Sequence, residues 1–179
     1  MKSEDELRRE RRIGWIAVAI LAPMALAFYV TVRFVVTHHR VPTGSMIPTV
    51  HRRDRVVVNR LAYAFGGKPR AGDVVAYRHE ALLLHRLVAG PGDTIEMRDN
   101  VLFVNGKRRH EPYTMITPEI PSVRSFGPLT VPAGHYFLLG DNRDNANDSR
   151  FQGFIAEENI LGRMIYVLHV GRCDESEPL

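Results

Sequence analysis

The chain has 179 residues, enough for one ordinary folded domain and an appendage. Its 24 Lys and Arg against 20 Asp and Glu give a formal net charge of +4, but the cations form no long patch of the kind that binds nucleic acid. A single cysteine, Cys173, excludes an intrachain disulfide framework and any cysteine-based metal cluster.

The amino-terminal region predicts a membrane anchor. Residues 1–12 contain four arginines, and no charged residue occurs from Ile13 to Val32, a length of about 20 residues that suffices to cross a bilayer as a helix. A buried core helix would carry a polar stripe, and a cleaved secretory signal would be followed by an A-x-A site; neither is present. By the positive-inside rule we predict a cytoplasmic basic segment over 1–12, a single transmembrane helix over 13–36 and an exoplasmic, periplasmic-side β-rich domain over 37–179 of an inner-membrane protein.

The remainder of the chain predicts a mostly β, antiparallel domain. Short bursts of Val, Ile, Leu, Tyr and Phe bounded by turn residues are typical of strands. The predicted strands are Arg55–Asn59, Asp73–Arg78, Ala81–Val88, Thr94–Arg98, Val101–Val104, Tyr136–Leu139 and Leu161–Val170. Asp99-Asn100 and Asn105-Gly106 stand where tight hairpins need positive φ. No helix of convincing length follows the anchor, and residues 110–128, with four prolines, predict a loop or extended hairpin at the rim.

A serine follows shortly after the predicted span, in the run Val41-Pro42-Thr43-Gly44-Ser45-Met46-Ile47-Pro48-Thr49. A serine between two prolines could be only a turn residue. Its position close to the membrane suits it to meet a substrate that is threaded through the bilayer. An isolated hydroxyl is a poor nucleophile, however, so it needs a general base within hydrogen-bond reach.

Four segments resemble the sequence boxes of the type I signal peptidase family, in the family's order. They are PTGSMIPT at residues 42–49, GDVVAY at 72–77, HRLVAGPGD at 85–93 and GDNRDNANDSR at 140–150. The resemblance extends from residue 42 to about residue 167. It implies a β-rich catalytic domain that removes signal peptides from exported preproteins as a membrane-bound serine endopeptidase. It implies no metal, no organic cofactor and no nucleic acid; we expect a monomer in contact with membrane lipid.

The resemblance makes Ser45 the nucleophile and His85 the general base. Bacterial-type members of the family carry Lys in place of His85, and usually a Ser that hydrogen-bonds this Lys in place of Ala146. The archaeal and endoplasmic-reticulum branch uses His, oriented by an Asp of the last of the four boxes, the closing box (residues 140–150). Asp141 and Asp148 are both available here, and Asp148 is favoured. A neutral imidazole with its usual pKa of about 6.5 can accept a proton at neutral pH.

The resemblance also assigns the oxyanion donors and the substrate-binding strands. The donors are the backbone N–H of Ser45 and the hydroxyl of Thr43. An extended peptide would add as a β-strand beside two segments, composed of Arg40, Val41 and Pro42 and of Leu82, Leu83 and Leu84. Val41 and Leu84 would then wall shallow apolar pockets that accept small residues such as Ala at the first and third positions before the cut.

The sequence also offers an alternative general base and possible metal ligands. Lys68 is an alternative base, although Gly66-Gly67-Lys68-Pro69 has the character of an exposed loop. Asp141, Asp144 and Asp148 could bind a cation, but their spacing does not fit an EF-hand loop. The histidines other than His85 show no metal-ligand spacing, so we predict no metal site.

The chain could also be a catalytically degenerate family member that serves as a membrane-anchored binding module, or a processing protease dedicated to one or a few substrates. A pure binding module has no need of a serine, a hydroxyl donor and a base-type residue in the family's order. The general and the dedicated protease share every motif.

Overall fold

The computed structural model describes residues 4–117 and 123–170. The chain divides into two compact units, residues 1–36 and 37–179. The first unit is the helix α1, Glu4–Val35. Its segment Arg11–Tyr29 is long and apolar enough to cross a membrane, with a mean hydropathy of 1.7 and no buried residue. The helix begins before the predicted span of 13–36 and ends one residue earlier, because Val36 begins a strand.

The described residues that follow form eleven strands, one helical turn and one 3-10 turn. The strands are β1 (Val36–Arg40), β2 (Arg55–Asn59), β3 (Val74–Arg78), β4 (Leu82–Ala89), β5 (Thr94–Arg98), β6 (Val101–Val104), β7 (Lys107–Arg108), β8 (Phe126–Thr130), β9 (His135–Leu139), β10 (Ile155–Ala156) and β11 (Ile160–Leu168). The helical turn α2 spans Ser149–Gln152, and the 3-10 turn spans Glu157–Asn159.

Two antiparallel sheets organise this unit. The larger sheet has seven strands in the order β1-β2-β11-β3-β4-β9-β10, and the smaller has four in the order β7-β6-β5-β8. The registered strand pairs are antiparallel throughout. The predicted mostly antiparallel β fold is therefore confirmed. Alternating apolar residues such as Val56 and Val58 of β2 point into the core, as the period of a half-buried strand requires.

The predicted strands are present, three of them with the predicted bounds: β2, β5 and β6. The other four, β3, β4, β9 and β11, differ by one or two residues at their ends. Both predicted hairpin turns have positive φ, at 46° and 65° for Asp99 and Asn100 and at 53° and 72° for Asn105 and Gly106. These left-handed conformations match the twist of the flanking strands.

Four strands were not predicted: β1, β7, β8 and β10. β1 contains His38 and His39 and was assigned in part to the span, while β8 contains Gly127-Pro128 and is mostly exposed. The composition of these two segments is unfavourable for strands. They are strands because β1 pairs with β2 and β8 pairs with β5. β8 also ends the predicted loop of 110–128, of which residues 118–122 lie outside the described part of the chain.

The fold brings together two histidines that sequence spacing did not associate. His51 and His169 lie beside Asp54, with their possible ligand atoms all within 4.8 Å of one another. The buried Asp54 carboxylate accepts hydrogen bonds from the His51 N–H at 2.9 Å, from Nδ1 of His169 at 2.9 Å and from the Val170 N–H at 3.3 Å. These bonds tie the end of β11 to the turn that precedes β2.

Candidate active site

Ser45 lies in the turn segment between β1 and β2, and buried apolar neighbours hold that segment. Met46 and Val50 are fully buried in the same core cluster as Val56 and Val58. Burial of such side chains contributes roughly 1.5–3 kcal/mol each. The segment that carries Ser45 is thus part of the core on one side, and Ser45 itself is only 8% exposed.

The closing box, residues 140–150, packs directly on the backbone of Ser45. The Asn142 N–H donates to the Ser45 carbonyl at 3.0 Å, and the Asn142 side-chain amide donates to the Gly44 carbonyl at 3.3 Å. A Cβ atom at Gly140 would lie 2.7 Å from the Ser45 carbonyl oxygen and 2.4 Å from Cβ of Ala146. Only glycine permits this approach, so the closing box sets the position of the Ser45 backbone.

The two predicted oxyanion donors lie beside the Ser45 hydroxyl. Oγ1 of Thr43 is 3.3 Å from Oγ of Ser45. The Ser45 N–H donates no hydrogen bond to any residue among 4–117 and 123–170. Both donors are therefore available to a group that approaches the Ser45 hydroxyl.

Ser45, Thr43 and all of the residues predicted to bind substrate line one pocket. It is lined by His39, Arg40, Val41, Pro42, Thr43, Ser45, Val56, Val58, Ala76, Leu82, Leu83 and Leu84. The pairing of β4 explains why the pocket is open on one side. β3 pairs with Leu82–Arg86, whereas β9 pairs with β4 only from Arg86 onward. The second backbone edge of Leu82–Leu84 therefore has no partner strand within the described sheet, and an extended peptide can pair with it.

His85 follows the pocket-lining Leu84 on β4 and lies opposite Val75 of β3. It is 2% exposed. Burial lowers the pKa of His85 to about 4; Arg150 acts in the same direction, and the carboxylates of Asp148 and Asp141 oppose it. The ordinary pKa of about 6.5 expected from the sequence is thus corrected downward, and the imidazole is neutral at pH 7.

The two candidate orienting carboxylates bind arginines. Asp148 accepts from the Gly140 N–H at 2.9 Å and from Nε and Nη2 of Arg150, both at 2.9 Å. Asp141 accepts from Nε and Nη2 of Arg86 at 2.8 and 2.6 Å. Both carboxylates act on His85 through their charge, and Asp148 has the larger influence on its pKa.

Sequence reasoning missed the residue that hydrogen-bonds the imidazole. Nδ1 of His85 lies 2.8 Å from the hydroxyl of Tyr77, which in turn donates to Oε1 of Gln152 at 3.0 Å. A signal was available for Tyr77: if β3 and β4 form a hairpin with Val75 opposite His85, residue 77 is the diagonal neighbour of His85 on the same face. No comparable signal exists for Gln152, which lies at the end of α2, just after the closing box.

The alternative roles find no support in the geometry of the described residues. Lys68 is exposed. The carboxylate of Asp144 accepts from the Thr117 N–H, so all three aspartates of the closing box already accept hydrogen bonds from the chain. These bonds give each of the three aspartates a structural role in the loop.

Comparison with known proteins assigns the chain to a family. The sequence model described as "Signal peptidase, peptidase S26" matches residues 12–169. The chain belongs to this family. It is 35% identical over 176 residues to a signal peptidase I of Bacillus amyloliquefaciens, covering 92% of this chain and 90% of the relative. It is 33% identical over 160 residues to a probable signal peptidase I-1 of Synechocystis sp., covering 82% and 78%.

A crystal structure of a signal peptidase I from Enterococcus faecalis V583 is 31% identical, with a TM-score of 0.49 over 55% of this chain and 97% of that one. The family and its relatives identify the chain as a serine peptidase, a hydrolase.

Proposed function

We propose that the chain is a membrane-anchored signal peptidase that removes N-terminal signal peptides from exported preproteins, with Ser45 as nucleophile and His85 as general base. The observation that carries the proposal is the pocket in which Ser45 and Thr43 adjoin two segments able to pair with an extended peptide. The relatives named signal peptidase I support the same substrate class.

In the proposed reaction the peptide lies in the pocket, paired with Arg40, Val41 and Pro42 on one side and with Leu82, Leu83 and Leu84 on the other. Ser45 Oγ attacks the scissile carbonyl carbon while His85 takes the hydroxyl proton. The Ser45 N–H and the Thr43 hydroxyl donate to the developing oxyanion, a contribution typically worth a few kcal/mol each.

The tetrahedral intermediate then collapses, and the C–N bond breaks as His85 returns its proton to the leaving amine. Water attacks the resulting acyl-enzyme with His85 again as base, which restores the Ser45 hydroxyl and releases the signal peptide. The pocket walls include Val41 and Leu84, and their bulk favours small residues before the cut. Asp148, or less strongly Asp141, keeps a negative charge near the imidazolium that forms transiently.

The membrane topology is part of the proposal. The apolar segment Arg11–Tyr29 crosses the inner membrane, and the basic residues at its amino-terminal side favour a cytoplasmic amino terminus. Residues 37–179 are then exoplasmic, next to membrane lipid, and act as a monomer. A reporter fused after Leu179 should be accessible from outside the cytoplasm; a cytoplasmic reporter would contradict this orientation.

The experiment for the proposed function compares the full-length wild type with Ser45→Ala, both in detergent, on a preprotein substrate. The variant should lose cleavage while keeping the wild-type circular dichroism spectrum. Thr130→Ala, which removes an exposed hydroxyl on β8 outside the pocket, is the matched control and should cleave normally. Cleavage by Ser45→Ala at the wild-type site would refute the assignment of the nucleophile.

A further inference from the structure

We propose that Tyr77 and Gln152 fix the tautomer of His85, so that Nδ1 carries the ring proton and Nε2 is left to accept the proton of Ser45. The inference rests on the proposed role of His85 as general base. It makes Tyr77 and Gln152 positioning residues, because they act on the reaction through the imidazole.

The single hydrogen of the Tyr77 hydroxyl decides which group donates to the imidazole. A phenol has one proton to donate and lone pairs with which it accepts. Tyr77 donates to Oε1 of Gln152 at 3.0 Å, and the same oxygen lies 2.8 Å from Nδ1 of His85. With its only proton directed to Gln152, the Tyr77 oxygen can bond the imidazole only as an acceptor. Nδ1 of His85 must then be the donor.

The hydrogen bonds of Gln152 fix the orientation of its side-chain amide. Nε2 of Gln152 donates to the Asn147 carbonyl at 2.5 Å, and the Gln152 backbone N–H donates to the Asp148 carbonyl at 2.9 Å. A flipped amide would set the Gln152 carbonyl oxygen against that of Asn147, two acceptors at hydrogen-bond distance. The arrangement with Oε1 directed to Tyr77 is therefore the one that satisfies both ends of the amide.

Tyr77 and His85 lie in surroundings that largely exclude water. Tyr77 is fully buried and His85 is 2% exposed, so water does not readily replace a missing partner. The charged groups that influence the imidazole are Asp148, Arg150 and Asp141. Asp148 is bonded to Arg150, and Asp141 is bonded to Arg86. Tyr77 is accordingly the hydrogen-bond partner of the ring within the described residues.

This chain of bonds also gives the closing box a defined part in positioning the base. Asp148 is the N-cap of α2, where its side chain accepts from the Arg150 N–H, and α2 carries Gln152. Asp148 therefore supports the imidazole through α2, Gln152 and Tyr77 as well as through its charge. A direct hydrogen bond from carboxylate to imidazole is not required for this role.

The test reads the tautomer directly, without turnover. The full-length protein in detergent is labelled with ¹⁵N-histidine, and His85→Ala identifies the His85 signals. The ¹⁵N shifts at pH 7 should show a proton on Nδ1 in the wild type. Tyr77→Phe should produce a mixture of tautomers, and Gln152→Leu should favour the proton on Nε2, because the freed Tyr77 hydroxyl then donates to Nδ1. Tyr136→Phe, another buried tyrosine of the same sheet, should leave the His85 signals unchanged.

Kinetics supply the second readout. Tyr77→Phe and Gln152→Leu should each lower kcat/KM for preprotein cleavage by roughly 10- to 100-fold, the range expected when a buried hydrogen-bonding group loses its partner. The double variant should lose no more than Tyr77→Phe alone, because Gln152 acts only through Tyr77. Gln152 is partly exposed, so its variant keeps the test available if Tyr77→Phe does not fold.

A proton on Nε2 in the wild type, or losses from the two variants that simply add, would overturn the proposal. These outcomes are distinct from failure of the proposed function, which would appear as wild-type cleavage by Ser45→Ala or His85→Ala whatever tautomer the spectra show.

Discussion

The Tyr77 hydroxyl lies 2.8 Å from Nδ1 of His85, and this contact joins the neighbouring strands β3 and β4. A tyrosine oxygen is neutral, since burial raises the pKa of Tyr77 well above its usual range. It therefore orients the imidazole through an uncharged acceptor, which stabilises a positive charge on the ring less than a carboxylate in the same place would. The proposed base is thus neutral at pH 7, and this sets the expected pH dependence of activity.

The pH at which activity is lost on the acid side should lie far below the usual histidine pKa. Only neutral imidazole can accept the Ser45 proton, so kcat/KM should fall as pH drops through the His85 pKa of about 4 and should be flat at neutral pH. The measurement is kcat/KM between pH 3 and pH 8 with circular dichroism at each point to exclude acid unfolding. A limb centred near the usual value of about 6.5 would contradict a buried, neutral base.

Gly140 should be intolerant of even one added methyl group. A Cβ atom there would lie 2.7 Å from the Ser45 carbonyl oxygen and 2.4 Å from Cβ of Ala146, so Gly140→Ala must change how the closing box packs on the serine segment. We expect the free energy of unfolding to fall by about 1–3 kcal/mol, as is typical of overpacking. We also expect kcat/KM to fall, because Ser45 then no longer meets the substrate in the correct geometry.

Gly90→Ala is the matched control, because its Cβ would make only ordinary contacts, the nearest at 3.6 Å to Tyr136. Denaturant unfolding and preprotein cleavage should both be close to wild type in this variant. Equal behaviour of the two alanine variants would show that the closing box does not set the position of Ser45.

Asp148→Asn should be more damaging than Asp144→Asn. The side chains of Asp148 and Arg150 are both fully buried, and removing one charge leaves the other without its partner, which typically costs roughly 3–5 kcal/mol. Asp144 is half-buried and accepts from a backbone N–H. Thermal unfolding of the two isosteric variants measures the difference; a smaller loss in Asp148→Asn would contradict the structural importance of the pair.

Much of this arrangement could be predicted from the sequence. Alternating apolar residues predicted β2, β5 and β6 with their observed bounds, and Asp99-Asn100 and Asn105-Gly106 predicted their hairpin turns, because both signals are local. β1 and β8 escaped prediction because their pairing partners, and not their composition, make them strands.

The candidate site likewise combines features that are local in the sequence with features that depend on the fold. The run around Ser45 and the box beginning at His85 are visible as continuous motifs. The bonds from Gln152 to Tyr77 and from Tyr77 to His85 join residues 75 and 8 positions apart. The first of these depends on where the fold places α2, and the burial that lowers the His85 pKa depends on tertiary packing. Neither is encoded in local periodicity.

The exchange of base type provides a further test. His85→Lys should be poorly active alone, because Ala146 offers no hydroxyl to hold an ammonium. Adding Ala146→Ser should recover part of the lost kcat/KM, with Ala146→Ser in the wild-type background as control. If the double variant is no more active than His85→Lys, the two departures from the bacterial pattern are unrelated.

The kcat/KM of His85→Ala on a preprotein, measured beside that of Lys68→Ala, tests the serine–histidine mechanism most directly. Loss of the general base should lower kcat/KM by roughly 10²-fold or more, and by more still if base and nucleophile act as one unit. Lys68 is exposed and should be replaceable without effect. Wild-type cleavage by His85→Ala together with inactivity of Lys68→Ala would contradict the serine–histidine mechanism and assign the base to the lysine.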